Sequence, residues 1–281
     1  MSEERAPEEV SLEAPNPYEL RVNLAGKVDE SAVTAALRTG DIGFLHSFTT
    51  GSTVDGPGVR VVAWTAGCQF RCLYCHNPDT WNMMNGMPVT LERAIAALGK
   101  YRHGLRIMSG GFTLSGGEPL MQDRFAARLM TRVKAMGIHT ALDTNGYLGE
   151  RLSDEELDQI DVVLLDIKTW DPQRHLTLTG KEVGPTLEFA RRLAARNRKI
   201  WLRYVLVPGL TDEVDDIDQI AGFAAGLGSV ERVDVLPFHQ MGRYKWKKLG
   251  INYTLDTVSA PAPELVERVC GQFRAVGLKA Y

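Results

Sequence analysis

Three cysteines, Cys68, Cys72 and Cys75, fall within eight positions of a chain that has only four in 281 residues. Their spacing is C-x3-C-x2-C, and the apolar run from Val59 to Trp64 leads into them. Thiolates are soft ligands, so a loop carrying three of them suits zinc or an iron–sulfur cluster. Three cysteines round a four-iron cube leave one iron without a protein ligand. Such an iron can bind a small molecule directly, which makes the centre reactive rather than only structural. The alternative is a closed Cys3His zinc site completed by His76. Two ligands at adjacent positions, Cys75 and His76, fit poorly round one tetrahedral ion, and no second C-x2-C pair exists to complete a ribbon.

Other residues carry chemistry further along. In Ser115-Gly116-Gly117-Glu118-Pro119 the glycines make a turn and Pro119 opens a helix. The missing side chains also let a ligand's amino group reach backbone carbonyls. Asp166 and Lys168 stand two apart at a strand end, where period two puts them on one face. Asp143-Thr144-Asn145-Gly146 has the composition of a capped turn. Arg203 lies mid-strand, where a buried charge needs a partner, either a ligand carboxylate or a structural ion pair. Tyr74, between two cysteines, can shield the centre from water or lie against a flat ligand. His239 follows Leu236-Pro237-Phe238 at another strand end. Neither a paired-carboxylate nor a Cys/His arrangement for acid–base or nucleophilic catalysis is evident.

These residues need elements to position them. Strands are expected at 59–66, 112–115, 139–143, 162–167, 199–207 and 232–238. Helices are expected at 89–100 with Thr90 as N-cap, 119–136, 153–159 with a Ser153/Glu156 capping box, 186–196, 211–225 and 262–276. Six apolar strands alternating with helices imply parallel strands with helices outside. A doubly wound sheet and a partial barrel both satisfy that pattern. Polar residues at the carboxyl ends of many strands, rather than at one switch point, favour the barrel.

Composition bounds the rest. Lys and Arg number 32 against 35 Asp and Glu, a net charge of −3, so no basic surface calls for nucleic acid. No apolar run reaches membrane-spanning length. Residues 1–40 read as an N-terminal extension, largely disordered, with a short helix at 30–38, and residues 41–281 as one domain. The acidic, Pro-rich start lacks the features of a secretory signal. Clustered cysteines suit a reducing cytoplasm, and Cys270 reads as a plain buried residue.

The cysteine spacing after a first strand resembles the signature of the radical S-adenosylmethionine (SAM) superfamily. Thr53-Val54-Asp55-Gly56-Pro57-Gly58-Val59-Arg60 before the cysteines, and Cys72-Leu73-Tyr74-Cys75-His76-Asn77 at their end, resemble the pyruvate formate-lyase activating enzymes among the glycyl-radical-enzyme activases. The similarity runs from about His46 to the C-terminus. It implies a (β/α)6 partial barrel and a 4Fe-4S cluster on Cys68, Cys72 and Cys75, with SAM on the open iron. It implies SAM contacts from Tyr74, Cys75 and His76, from the GGE motif Gly116, Gly117 and Glu118, from Asp166, Ile167 and Lys168, and from Arg203 and His239. It implies a monovalent cation at Asp143, Thr144, Leu164 and Asp166. Asp55 and Arg60 match residues near the protein substrate's entry. The implied partners are pyruvate formate-lyase as substrate and a flavodoxin or ferredoxin as electron donor, with the chain a monomer. With only Cys270 to spare, the chain matches the form without a ferredoxin-like insert. An activase of another glycyl radical enzyme, or a radical SAM enzyme acting on a small molecule, is the alternative. The chain departs from the pattern after His239, where a second histidine commonly follows in the subfamily and Gln240-Met241-Gly242-Arg243-Tyr244-Lys245-Trp246 stands here.

Overall fold

The computed structural model describes residues 30–281, so the expectation for the first residues of the N-terminal extension lies outside the described residues. The elements are α1 (Glu30–Thr39), β1 (Ile42–Ser52), β2 (Arg60–Thr65), β3 (Met87–Thr90), α2 (Leu91–Gly99), α3 (Arg102–Ile107), β4 (Gly111–Gly116), α4 (Asp123–Ala135) and β5 (His139–Thr144). There follow α5 (Asp154–Leu157), β6 (Val162–Asp166), α6 (Pro172–Thr179), α7 (Gly184–Ala195), β7 (Lys199–Leu206), α8 (Val214–Leu227), β8 (Val230–Pro237), α9 (Arg243–Lys248) and α10 (Pro263–Ala275). Among the described residues the strands form one sheet in the order β3-β1-β2-β4-β5-β6-β7-β8. All six strands from β2 to β8 that were expected to be parallel are so, and the helices between them cover the outer face.

The architecture is a partial barrel, and the period-two rule sorts its residues. On β5 and β6, Leu142, Val163 and Leu165 point outward into the large core shared with α2 and α4. Their neighbours Ala141, Val162 and Leu164 point inward and form a separate small cluster with Trp201. The next inward positions along β5, β6 and β7 are Asp143, Asp166 and Arg203. β5 and β6 thus end on a lumen-facing carboxylate, and on β7 Arg203 is followed on the same side by Val205. The free edge of β8 is covered by the chain's own end, where the Val233 and Val235 amides donate to the Lys279 and Tyr281 carbonyls.

Two local expectations need correction, and one strand adds to them. The segment 89–100 does not begin as a helix: Met87–Thr90 is an edge strand antiparallel to β1, and Thr90 caps a helix that starts at Leu91. The helix from Pro119 is broken, because Pro119–Gln122 forms a 3-10 turn before α4. There the buried Gln122 amide bonds the Phe44 amide and carbonyl and the Ala66 carbonyl, which an uninterrupted helix would not present to it. Strand β1, with its polar Ser, Thr and Gly residues, goes unread in the sequence because it is a half-exposed strand with weak alternation. The capping box at Ser153/Glu156 forms, and Cys270 is buried in α10.

Candidate cluster-binding site

The loop from β2 carries Cys68, Cys72 and Cys75 to the wall of one cavity of about 180 Å³. The loop is held from outside, where the Arg71 and Leu73 amides donate to the Thr179 and Leu178 carbonyls at 2.7 and 3.1 Å. Phe70, Cys72 and Tyr74 are buried against Leu178, Val207, Phe238 and Leu255. Burial pushes the Cys72 thiol up to about 12 and the Cys68 and Cys75 thiols up as well. A proton is thus retained there unless a metal takes its place.

Tyr74, His76, Gly116 and Gly117 also line this cavity, as do Asp143, Thr144, Asp166 and Lys168. Lys168 Nζ stands 2.9 Å from Asp166 Oδ2 and 5.8 Å from the Tyr74 ring centroid. Burial alone would pull the Lys168 ammonium down, but Asp166 and Tyr74 beside it hold it well above its ordinary value. Arg203 Nη1 donates to Asp143 Oδ2 at 2.8 Å, and Ser115 Oγ donates to the same oxygen at 2.6 Å. Burial pushes the Asp143 carboxyl up, and Arg203 pulls it back. Asp55 lies 3.8 Å from Arg203 and accepts from Ser52 Oγ at 2.6 Å. The His76 and His239 rings stack with centroids 3.8 Å apart.

Other residues singled out from the sequence do not reach the cavity wall. Glu118 is wholly buried; it accepts from the Leu120 and Asn145 amides at 2.9 and 2.8 Å and from Thr144 Oγ1 at 2.7 Å. It ties the turn after β4 to the turn after β5. Ile167 packs into the core with Tyr204 and Phe273, and Leu164 lies in the small lumen cluster. Arg60 is fully buried, donating to Thr113 Oγ1 and to the carbonyls of Pro57 and Phe112. It braces the start of β2 and offers no free donor to a partner. Sequence reading missed Ser115, Asn145, Gln69 and Trp81. Ser115, Asn145 and Trp81 line the cavity, and Gln69 Nε2 donates to Asn145 Oδ1 at 3.0 Å. The adjacency of Ser115 to the glycines and of Asn145 to Asp143 was the available signal.

The residues present fit a multi-iron centre with a polar ligand beside it. Cys68, Cys72 and Cys75 bring three soft sulfur donors to the wall of one cavity. Round the same cavity, Tyr74 Oη, His76 Nε2 and Asp143 Oδ1 are buried without hydrogen-bond partners, as a site shaped for a ligand would leave them.

Two predictions arise here. A Cβ added at Gly117 would lie 2.4 Å from the Gly67 carbonyl oxygen and 3.2 Å from Cys68 Cβ. Gly117→Ala is expected to cost about 1–3 kcal/mol in denaturant unfolding and to lower the iron taken up, because the Cys68 loop must shift. Burial also pushes the Glu118 carboxyl up to about 7 from 4.5. Its folded value exceeds its unfolded one, so the folded state holds the extra proton. That contribution is full below pH 4.5 and is lost as pH rises through 7, up to about 3 kcal/mol. In Glu118→Gln, urea unfolding measured from pH 5 to 8 should lack this decline.

The comparisons with known proteins agree with this geometry. Residues 54–181 match a family model described as a 4Fe-4S single cluster domain. The chain is 42% identical over 240 residues to pyruvate formate-lyase 1-activating enzyme of Escherichia coli K12, covering 85% of this chain and 98% of that protein. It is 42% identical over 232 residues to the pyruvate formate-lyase-activating enzyme of Staphylococcus epidermidis, covering 80% and 92%. Among solved structures it resembles a domain of a pyruvate-formate lyase-activating enzyme from Bacteroides vulgatus, with TM-score 0.50 at 26% identity, covering 61% of this chain and 98% of that one. A radical SAM methyltransferase from Sphaerobacter thermophilus shares the fold, with TM-score 0.55 at 16% identity over 91% of this chain and 81% of that one. Identity at this level over most of both chains means that the protein belongs to the pyruvate formate-lyase-activating enzyme family.

Proposed function

We propose that the chain generates the glycyl radical of pyruvate formate-lyase, using SAM and a 4Fe-4S cluster. The observation that carries this reading is the placement of three thiols and an Asp–Lys pair on the wall of one cavity. Cys68, Cys72 and Cys75 would hold the cluster. The chemistry supplied by the bound group is one electron into the sulfonium of SAM, giving methionine and the 5′-deoxyadenosyl radical that takes a hydrogen atom from a backbone glycine of the partner. The protein's own part is to hold donor, sulfonium and target in line and to keep water away.

Gly116 and Gly117 leave backbone carbonyls open to an ammonium group. Lys168 offers a cation to a carboxylate, and Asp166 an acceptor to hydroxyls. The Tyr74 ring borders the same space, and His76, backed by the stacked His239 ring, closes one side. Arg203 stands behind Asp143 and fixes its carboxylate. The unpartnered Asp143 Oδ1 supports a monovalent cation held with Thr144, Asp166 and the Leu164 carbonyl. Asp55, paired to Arg203, borders the side from which a protein would enter. The one-electron donor is a flavodoxin or ferredoxin, and the compartment is the cytoplasm. Among the described residues no helix is long and apolar enough to cross a membrane.

The test is anaerobic reconstitution with iron, sulfide, SAM, a reductant and pyruvate formate-lyase. A doublet electron spin resonance signal from a glycine-centred radical is expected. A brown, iron-loaded protein that cleaves SAM yet leaves this lyase silent would reassign the partner to another glycyl radical enzyme.

A further inference from the structure

The segment after β8, where the chain departs from its subfamily's pattern, folds back onto the cysteine loop. Gln240 Nε2 donates to the carbonyls of Leu255 and Val258 at 2.7 and 2.8 Å and closes this segment into a compact strap. Gly242 sits so close to the loop that a Cβ there would lie 2.6 Å from the His76 carbonyl oxygen. On α9, Lys245 Nζ donates to Asn77 Oδ1 at 2.7 Å and pairs with Asp79 at 3.0 Å. Asp79 in turn holds His46 of β1 at 3.0 Å. Trp246 is 4% exposed, and its indole Nε1 donates to the Cys75 carbonyl at 2.8 Å.

These contacts join the two ends of the cysteine span. Trp246 meets Trp81 edge-on at 5.1 Å, and the Arg71 guanidinium lies over the other ring, 5.0 Å from the Trp81 centroid. Arg71 Nη1 donates to the Cys68 carbonyl at 2.7 Å. The path Cys68–Arg71–Trp81–Trp246–Cys75 is therefore a closed belt outside the loop. Its two anchors are carbonyls of the first and last cysteine.

We propose that Trp246 is a positioning residue for the cluster, and that α9 is the clamp which holds the cysteine loop in its three-thiolate geometry and raises the reduction potential of the centre there. This rests on the reading of Cys68, Cys72 and Cys75 as cluster ligands. An N–H dipole aimed at a ligand's own carbonyl stabilises the more negative, reduced state.

Trp246→Phe keeps the ring and removes the donor. In the reconstituted protein it is expected to shift the midpoint potential negative, cutting the reduced fraction ratio about threefold at fixed potential, close to 30 mV for one electron. Trp246→Ala removes the donor and the packing together, and should also shorten the cluster's lifetime in air. An unchanged potential in the Phe variant overturns the proposal. Lys245→Met supplies a reading that needs no cluster. In the metal-free chain, amide hydrogen exchange over residues 72–81 should quicken several-fold, and unchanged exchange there overturns the clamp even if the Trp246 variants fail to fold. If the wild-type chain takes up no iron, the proposed function fails while the exchange measurement still decides whether the clamp exists.

Discussion

Cys72→Ala is expected to yield a folded, colourless protein without iron and without any glycyl radical signal. Cys72 is the innermost of the three thiols, with 9% exposure, packed with Phe70, Tyr74 and Phe238. The substitution removes one sulfur from a buried site, a loss of about 1 kcal/mol or less in packing. The loop keeps its backbone anchors to Thr179 and Leu178, so the fold survives. The centre does not, because two thiols cannot grip three corners of a cube. Activity then falls by more than about 10³-fold, since residues that act as a unit fail together. Iron analysis, visible absorbance and electron spin resonance with the lyase check the three parts separately. Cys270→Ala is the control: it lies in α10 with Phe273, away from the cavity, and should keep iron and signal. Iron retained at three atoms or more per chain in Cys72→Ala would refute the ligand assignment.

Lys168→Met is the second large effect, and it separates stability from ligand binding. Lys168 is buried on the cavity wall and paired with Asp166 at 2.9 Å. Removing the ammonium leaves the Asp166 carboxylate without its ion-pair partner, near Asp143 and with Arg203 as the remaining cation close by. Breaking a buried pair from one side costs about 3–5 kcal/mol. Removing both charges, in Asp166→Asn with Lys168→Met, restores much of that stability, because no unpaired charge remains. SAM binding responds differently. If the pair receives the ligand's carboxylate and hydroxyls, the single and double variants both bind SAM at least about 100-fold more weakly. Equilibrium dialysis of SAM against the reconstituted proteins, beside urea unfolding, gives the two readings. Recovery of SAM binding in the double variant would make the pair purely structural.

The site was legible in the sequence where chemistry is local. The C-x3-C-x2-C spacing is a property of eight consecutive residues, and it marks the thiols as one set without reference to the rest of the chain. Asp166 and Lys168 were placed on one side by the two-residue period, which the 2.9 Å separation bears out. The parallel strands were readable because both their faces are apolar, and Thr90 and Ser153 cap their helices through contacts three residues long. Where a contact spans strands, local pattern carried no such information. Glu118 looked like part of a ligand motif, yet its oxygens turn to Asn145 and Thr144 on the next strand's turn. Arg60 looked like a surface contact, yet it is enclosed by Thr113 and two carbonyls.

The amino-acid order by itself determined the ligand trio, the alternation of strands and helices, and the gathering of polar residues at strand ends. Each of these depends on spacing within one segment. Tertiary structure alone decided that Ser115, Asp143, Arg203 and Asp55 form one chain of contacts, that β1 and β3 extend the sheet, and that α9 closes over the cysteine loop. The reason is register. Which side chain meets which across neighbouring strands depends on how whole strands slide against one another, and that is settled by the packing of the entire core.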